Sequence, residues 1–246
     1  MLTKQLDDKS YHQFRTFLEQ QCGIVLGESK QYLVKSRLAP LMIKFDVPSL
    51  SDLVAQTLNP VKRQLRAAVI DAMTTNETLW FRDEYPFELL KKRLLPEFKG
   101  QRTPLKIWSA ASSSGQEPYS IAMAIYEYQQ SNPGAFAAGV QIIGTDISNT
   151  MLEHCKYAHY DSLSLSRGLS LERKKKFFEA GDNGMLKVKD VIKKMVSFRQ
   201  LNLLNSYSLM GRFDLIFCRN VLIYFSPELK KQIISQIHGT LNNDRY

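Results

Sequence analysis

LKIWSAASSSGQEPYSIAMAIYEYQQ, residues 105–130, decides the fold. Leu105–Ala110 is an apolar run of strand length, and Ala111–Pro118 is a loop of small and polar residues. From Tyr119 onward apolar residues recur at helical spacing. VQIIGTDIS (140–148) repeats the theme: a strand candidate, an acidic residue at its end, and a helix opening near Ser148. MVSFRQLNLL (195–204) and FDLIFCRN (213–220) are two more strand candidates. PELKKQIISQIHGTL (227–241) reads as a helix with Pro in its first turn. Strands alternating with helices predict a parallel sheet covered on both faces. The expectation is an α/β, Rossmann-like domain over residues 105–246.

The remainder of the chain reads differently. Residues 1–73 carry helical periodicity, as in Tyr11, Phe14, Phe17 and Leu18 or in Leu65, Val69 and Met73. Breaks are expected near Gly23, Gly27, Pro40, Pro48 and Pro60, giving three to five short helices in a small all-α domain. Residues 74–104 form a linker and lid segment. Residues 160–199 interrupt the strand–helix alternation with ten basic against five acidic side chains. That stretch is either a solvated insertion or a docking surface.

Composition removes several classes. The chain has 246 residues, 44% of them hydrophobic, which is globular rather than disordered. No apolar run reaches the roughly 18 residues of a membrane span. The opening MLTKQLDDKSYHQF has no apolar h-region, so no secretory signal is expected and the location implied is cytoplasmic. Cys22, Cys155 and Cys218 are far apart and odd in number, which gives no support to a zinc ribbon or a disulfide framework. A formal net charge of +9 suits an acidic partner: nucleic acid, anionic membrane or an acidic protein surface.

In open α/β sheets ligands bind beyond the carboxyl ends of the strands, and four such ends here carry polar residues. After the first comes Ser112-Ser113-Ser114-Gly115-Gln116-Glu117, whose small residues allow close backbone approach to a ligand. This is not the GxGxxG dinucleotide fingerprint, and Glu117 suits a cationic group better than a pyrophosphate. Glu117 could also merely complement the helix dipole. Asp146 ends the second strand, where a carboxylate commonly grips both ribose hydroxyls, or else caps a turn. Loop and Asp146 together point to a nucleoside cofactor without a diphosphate, and S-adenosylmethionine (SAM) fits. Asn202-Leu203 could bracket an adenine ring or form an ordinary turn. Arg219-Asn220 ends the fourth strand, and Tyr224 lies four residues beyond it, either core or facing a substrate. Within Thr74–Asp83, Arg82 could hold a carboxylate bidentately or form a surface ion pair with Asp83 or Glu84. His154, Cys155 and His159 have no companion ligand cluster, so no metal is expected. The apolar neighbours of Cys218 favour burial over nucleophilic use.

MTTNETLWFRD (73–83), WSAASSSGQEPYSIAMAIYE (108–127), IIGTDIS (142–148) and FDLIFCRNVLIYF (213–225), in this order, resemble the CheR family of chemotaxis receptor methyltransferases. The similarity extends to residues 1–73, which resemble that family's helical N-terminal domain. It implies transfer of a methyl group from SAM to glutamate side chains of chemoreceptors, leaving S-adenosylhomocysteine (SAH). The implied cofactor residues are Asn76, Thr78, Arg82, Glu117, Asp146, Asn202, Leu203, Arg219 and Asn220. Arg82 and Tyr224 are placed near the reacting centre. The helical domain and a small inserted β-subdomain, here 160–196, are implied to contact the receptor's cytoplasmic helical bundle, with no nucleic acid and no membrane insertion.

Family members usually continue past the last helix into a Gly-rich turn and a strand hairpin. LNNDRY (241–246) carries neither, so C-terminal strands are expected to be missing and the sheet to have an exposed edge or a borrowed strand. Members that grip a receptor's C-terminal pentapeptide tether have a longer glycine-containing loop than Glu179–Val188, so no tether binding is expected. Two other functions fit the basic charge or the cofactor set: a SAM-dependent methyltransferase of another substrate such as RNA, and a catalytically silent SAM-sensing module.

Overall fold

A computed structural model describes residues 6–243 and 245–246. The first five residues of the opening sequence, at the start of the 1–73 helical region, and Asp244 lie outside the described residues. The chain divides into two compact units. One holds the residues up to Thr75 together with Asn202–Asn205 and Asn220–Ile234; the other holds Asn76–Leu201, Ser206–Arg219 and Ser235–Tyr246.

The first unit is helical: α1 (Asp8–Cys22), α2 (Gln31–Lys44), α3 (Leu50–Leu58) and α4 (Arg63–Met73), with a 3₁₀ turn at Glu28–Lys30. Asp7 caps α1 by accepting the Ser10 N–H at 2.8 Å, and Ser49 caps α3 by accepting the Asp52 N–H at 3.0 Å. The apolar stripes land where the periodicity puts them. Tyr11, Phe14, Phe17 and Leu18 of α1 and Leu65, Val69 and Met73 of α4 are all buried. Each such side chain contributes about 1.5–3 kcal/mol by leaving water.

The break expected at Pro40 does not occur, because α2 runs through it. Val34, Leu38 and Met42 are spaced four apart and almost wholly buried, while Pro40 sits on the exposed side. Packing of that stripe outweighs the one backbone hydrogen bond a proline removes.

The second unit opens with α5 (Tyr85–Leu89), a π-helical turn at Leu90–Leu94 and α6 (Leu95–Glu97). Then follow β1 (Leu105–Ala110), α7 (Gln116–Ser131), β2 (Val140–Asp146), α8 (Asn149–Tyr157) and β3 (His159–Tyr160). Next come α9 (Ser162–Ser166), α10 (Leu171–Phe177), β4 (Phe178–Ala180), β5 (Leu186–Val188), α11 (Asp190–Lys193), β6 (Val196–Gln200) and β7 (Leu215–Cys218). The last helix, α12 (Pro227–His238), has its residues through Ile234 in the first unit.

Four strands form a parallel sheet in the order β6-β2-β1-β7. The chain steps from β1 to β2 on one side and later returns to place β7 on the other. The topological switch point, where α/β proteins bind ligands, therefore lies between β1 and β7. Apolar residues of β1 and α7, including Ile107, Ile121 and Ile125, are fully buried in one core with Trp80, Leu90 and Phe177.

Two strand candidates come out shorter than their apolar runs. β6 stops at Gln200 rather than Leu204, because the Asn202 side chain accepts the Leu204 N–H at 3.1 Å and turns the chain. β7 covers only Leu215–Cys218 of the 213–220 run. Residues 159–193 build a small antiparallel sheet, β3-β5-β4, interleaved with α9, α10 and α11. The β7 edge is not fully open: Leu241 bridges Phe213, and the Ile216 N–H donates to the Tyr246 carbonyl at 2.8 Å.

Candidate functional site

Beyond β1 the backbone leaves the sheet through left-handed conformations at Ala111 (φ 56°), Ser113 (φ 49°) and Gly115 (φ 93°). Such conformations cost non-glycine residues of order 1–3 kcal/mol each and persist where the surroundings impose them. The surroundings here are specific. The Ser113 N–H donates to Asp146 Oδ2 at 2.8 Å, and the Ser112 N–H donates to the Thr145 carbonyl at 2.8 Å. Beneath the loop, Cys155 Sγ–H donates to the Ser113 carbonyl at 3.0 Å and the Tyr160 hydroxyl donates to that of Ser114 at 2.7 Å. A Cβ at Gly115 would come within 3.0 Å of both Cys155 Sγ and Tyr160 Oη, so glycine is required there for space as well as for φ. Burial pushes the Cys155 thiol far above its ordinary range, which makes it packing rather than a nucleophile.

Asp146 stands at the carboxyl end of β2 and is 6% exposed. Its Oδ1 accepts the Ser148 N–H at 2.9 Å while Oδ2 accepts that of Ser113. Two backbone donors from two different loops fix this carboxylate at the sheet end.

Glu117, in the first turn of α7, is the other carboxylate at this end. Ser109 Oγ, fully buried on β1, donates to its Oε1 at 2.8 Å, and Arg219 Nη1, just past β7, donates to its Oε2 at 2.9 Å. The pair bridges β1 and β7, the switch point. Its side chains are 14% and 17% exposed, well below the level at which water screens an ion pair to insignificance. Burial pushes the Glu117 carboxyl above its ordinary value, against the opposing pull of Ser109, Arg219 and the Arg82 charge. Glu117 is thus more than a helix-dipole complement: its charge is bound into a built cluster.

Arg219 also donates through Nη2 to Asp83 Oδ2 at 2.7 Å and to the Arg82 carbonyl at 2.8 Å. The segment it grips is bent through left-handed φ at Phe81 (48°), Asp83 (66°) and Glu84 (41°). Arg82 does not pair with Asp83 or Glu84; its Nη1 donates to the Glu77 carbonyl at 3.1 Å, and Glu77 pairs with Arg167. The Asn76 carbonyl accepts from Ser113 Oγ at 2.9 Å, and Thr78 is half-buried on the same stretch. The second unit therefore gathers Asn76, Arg82, Glu117, Asp146 and Arg219 into one connected set, with Thr78 beside Glu77.

Four expected site residues belong to the first unit. Asn202 Nδ2 donates to the Gln21 carbonyl at 2.7 Å and Leu203 is buried. Asn220 is exposed with φ 56°, and the Tyr224 carbonyl accepts the Val25 N–H at 3.0 Å. Reading the sequence missed Ser109 and Asp83. The one available signal for Ser109 was a hydroxyl inside the apolar run LKIWSA; Asp83 was read only as a local partner for Arg82, and nothing in the sequence pointed it to Arg219.

His159 lies on β3 with its ring stacked on Tyr157 at 3.8 Å, a packing role. Among the described residues no three His, Cys, Asp or Glu side chains are grouped to hold a metal ion. Burial raises the Cys218 thiol to about 12, far from a reactive thiolate.

The family model for the CheR methyltransferase SAM binding domain matches residues 76–246, and that for the CheR methyltransferase all-alpha domain matches residues 9–74. The chain belongs to the CheR methyltransferase family. Over 241 residues it is 58% identical to a chemotaxis protein methyltransferase of Vibrio parahaemolyticus, covering 98% of this chain and 87% of the relative. It is 54% identical over 250 residues to one from Pseudomonas putida, covering 100% and 89%. A Borreliella burgdorferi chemotaxis protein methyltransferase is 32% identical over 233 residues, covering 91% and 80%. As a CheR-family member the chain is a SAM-dependent methyltransferase.

The residues at the sheet end fit SAM. A carboxylate beside β1 matches an ammonium and one ending β2 matches ribose hydroxyls, while no glycine-rich diphosphate cradle is present in the β1–α7 sequence. The raised Glu117 carboxyl gives this fit a pH signature. A carboxylate must be ionised to hold a cation, so an ammonium held by Glu117 would be bound fully above that carboxyl's pKa and lost as pH falls through it. SAH titrations carried from neutral into acid pH should show affinity falling by up to about tenfold per unit once the pH is below that pKa. A Glu117→Gln protein should bind weakly and with a flat profile; an identical slope in both proteins would remove Glu117 from the linkage.

Proposed function

We propose that this CheR-family chain is a protein-glutamate O-methyltransferase acting on chemoreceptors. The observation that carries the reading is the pair of fixed carboxylates, Glu117 and Asp146, at the carboxyl ends of neighbouring parallel strands in a domain matched by the SAM-binding family model. Glu117 would hold the ammonium, Asp146 the ribose hydroxyls and Arg82 a carboxylate, with Asn76, Thr78 and Arg219 completing that set. Asn202, Leu203 and Asn220 keep the cofactor role that the family resemblance implies. When bound, SAM supplies a methyl group activated by its sulfonium.

The acceptor needs little help. A glutamate carboxyl has an ordinary pKa of about 4.3, so it is an anionic nucleophile at neutral pH and no general base is required. The protein's part is to hold the carboxylate in line with the methyl group and keep water away. Tyr224 would orient the reacting groups. A Tyr224→Phe protein is expected to lose about tenfold or more in turnover while its SAH affinity stays within about twofold. Equal losses in turnover and affinity would assign Tyr224 to cofactor binding instead.

The natural substrate is the cytoplasmic helical bundle of a chemoreceptor, reached in the cytoplasm. No helix among the described residues is long and apolar enough to cross a membrane. The basic surfaces of the helical unit and of residues 160–199 would steer the protein to an acidic bundle. The connection from β4 to β5 spans only residues 181–185, with left-handed turns at Asn183 and Gly184. So short a turn supports the absence of a pentapeptide-tether site. Calorimetry with a receptor C-terminal pentapeptide should give no heat of binding, and micromolar affinity would contradict this. Tandem mass spectrometry of a receptor fragment after incubation with SAM tests the function: added methyl groups should fall on glutamate side chains.

A further inference from the structure

We infer that Asp83 is a positioning residue for cofactor recognition, acting through Arg219 on Glu117; this rests on the reading that Glu117 holds the ammonium of SAM. Arg219 is a two-sided clamp. One side of its guanidinium meets Glu117 Oε2 at 2.9 Å, and the other meets Asp83 Oδ2 at 2.7 Å and the Arg82 carbonyl at 2.8 Å. Ser109 holds the remaining Glu117 oxygen at 2.8 Å, so both oxygens of that carboxylate are spatially fixed.

Charge explains why the far side matters. Glu117 with Arg219 alone is a neutral pair, which offers little to an incoming cation. The Arg82 charge acts on Glu117 as well, and Asp83 offsets it, so that the cluster is neutral rather than net positive where an ammonium must approach. Asp83 also draws the guanidinium toward the 81–84 turn, so that Arg219 does not swing onto Glu117 bidentately and occupy the face the ammonium needs. The turn is shaped for this: Asp83 sits at φ 66°, a conformation Asp and Asn adopt more readily than most residues.

The ligand pair SAH and methylthioadenosine reads this arrangement, because the second lacks the amino-acid arm and its ammonium. Calorimetry would compare Asp83→Gly, which keeps the left-handed backbone, Asp83→Asn, which keeps a neutral acceptor, and Glu117→Gln. Asp83→Gly should weaken SAH about tenfold and leave methylthioadenosine within twofold, with Asp83→Asn falling between Asp83→Gly and the parent. In the Glu117→Gln background, Asp83→Gly should add almost nothing, as expected for residues acting as one unit. Equal weakening of both ligands by Asp83→Gly would mean a general structural role and overturn the inference. So would unchanged SAH binding in Asp83→Gly while Glu117→Gln loses it. If Glu117→Gln itself leaves SAH binding intact, the ammonium reading fails first and the role of Asp83 with it.

Discussion

Asp146→Asn should weaken SAH binding about a hundredfold, the largest effect on the cofactor expected of any single conservative change. The carboxylate accepts one backbone N–H on each oxygen, from Ser148 and from Ser113. An amide has only one acceptor oxygen, so its nitrogen must face one of those two donors. The loop beyond β1, already held in left-handed conformations at Ala111 and Ser113, then loses an anchor. The charged acceptor proposed for the ribose is lost in the same step. Hydrogen bonds to charged groups are worth about 1.5–3 kcal/mol each, and two at the low end of that range, about 3 kcal/mol together, correspond to the hundredfold. Because the loss is at the nucleoside end, calorimetry should find SAH and methylthioadenosine weakened alike. Loss confined to SAH would mean that Asp146 serves the amino-acid arm and that the carboxylate assignments are exchanged.

Gly168→Ala should be the most damaging small substitution for stability. Gly168 has φ +86°, and a Cβ built on it lies 2.0 Å from the Trp80 carbonyl oxygen and 3.0 Å from the carbonyl carbon. That obstacle is backbone, which cannot rotate away as a side chain could. The Trp80 N–H in turn donates to the Arg167 carbonyl at 3.1 Å, and its fully buried ring packs edge-on against Tyr160 and Phe178. Moving Trp80 disturbs the 81–84 turn that Arg219 grips. The expected cost is about 3 kcal/mol or more, or roughly 6–12 °C in thermal midpoint. Gly134→Ala is the matched comparison, since Gly134 has φ +82° and nothing within 4 Å of its added Cβ. It carries the backbone strain without the collision and should lose only about 1 kcal/mol. Similar melting of the two variants would show that strain alone matters at Gly168.

The contrast between these sites explains what reading the sequence could reach. β1 was legible to the residue, since LKIWSA is an apolar run bounded by a polar loop, and Asp146 was legible because strand ends in α/β sheets host ligands. Glu117 was visible as a charge at a helix start. Its partners were not: Arg219 lies 102 residues away, Ser109 was hidden in a strand, and Asp83 reaches the cluster only through the fold. Pro40 misled for the opposite reason, because a local breaker was overruled by the buried stripe of Val34, Leu38 and Met42. The amide of Asn202, read for its place after a strand, also holds the Gln21 carbonyl and the Leu204 N–H, contacts that no local pattern announced. Local patterns announce elements and strand ends; long-range polar pairing has no local signature.

The most direct test of the account follows the methyl group. The protein is incubated with tritiated methyl-labelled SAM and a chemoreceptor cytoplasmic fragment, and the washed product is treated with mild alkali. The account predicts label on the fragment that alkali releases as volatile methanol, the behaviour of a carboxyl methyl ester. Label that resists alkali, or no label on the fragment at all, would contradict it.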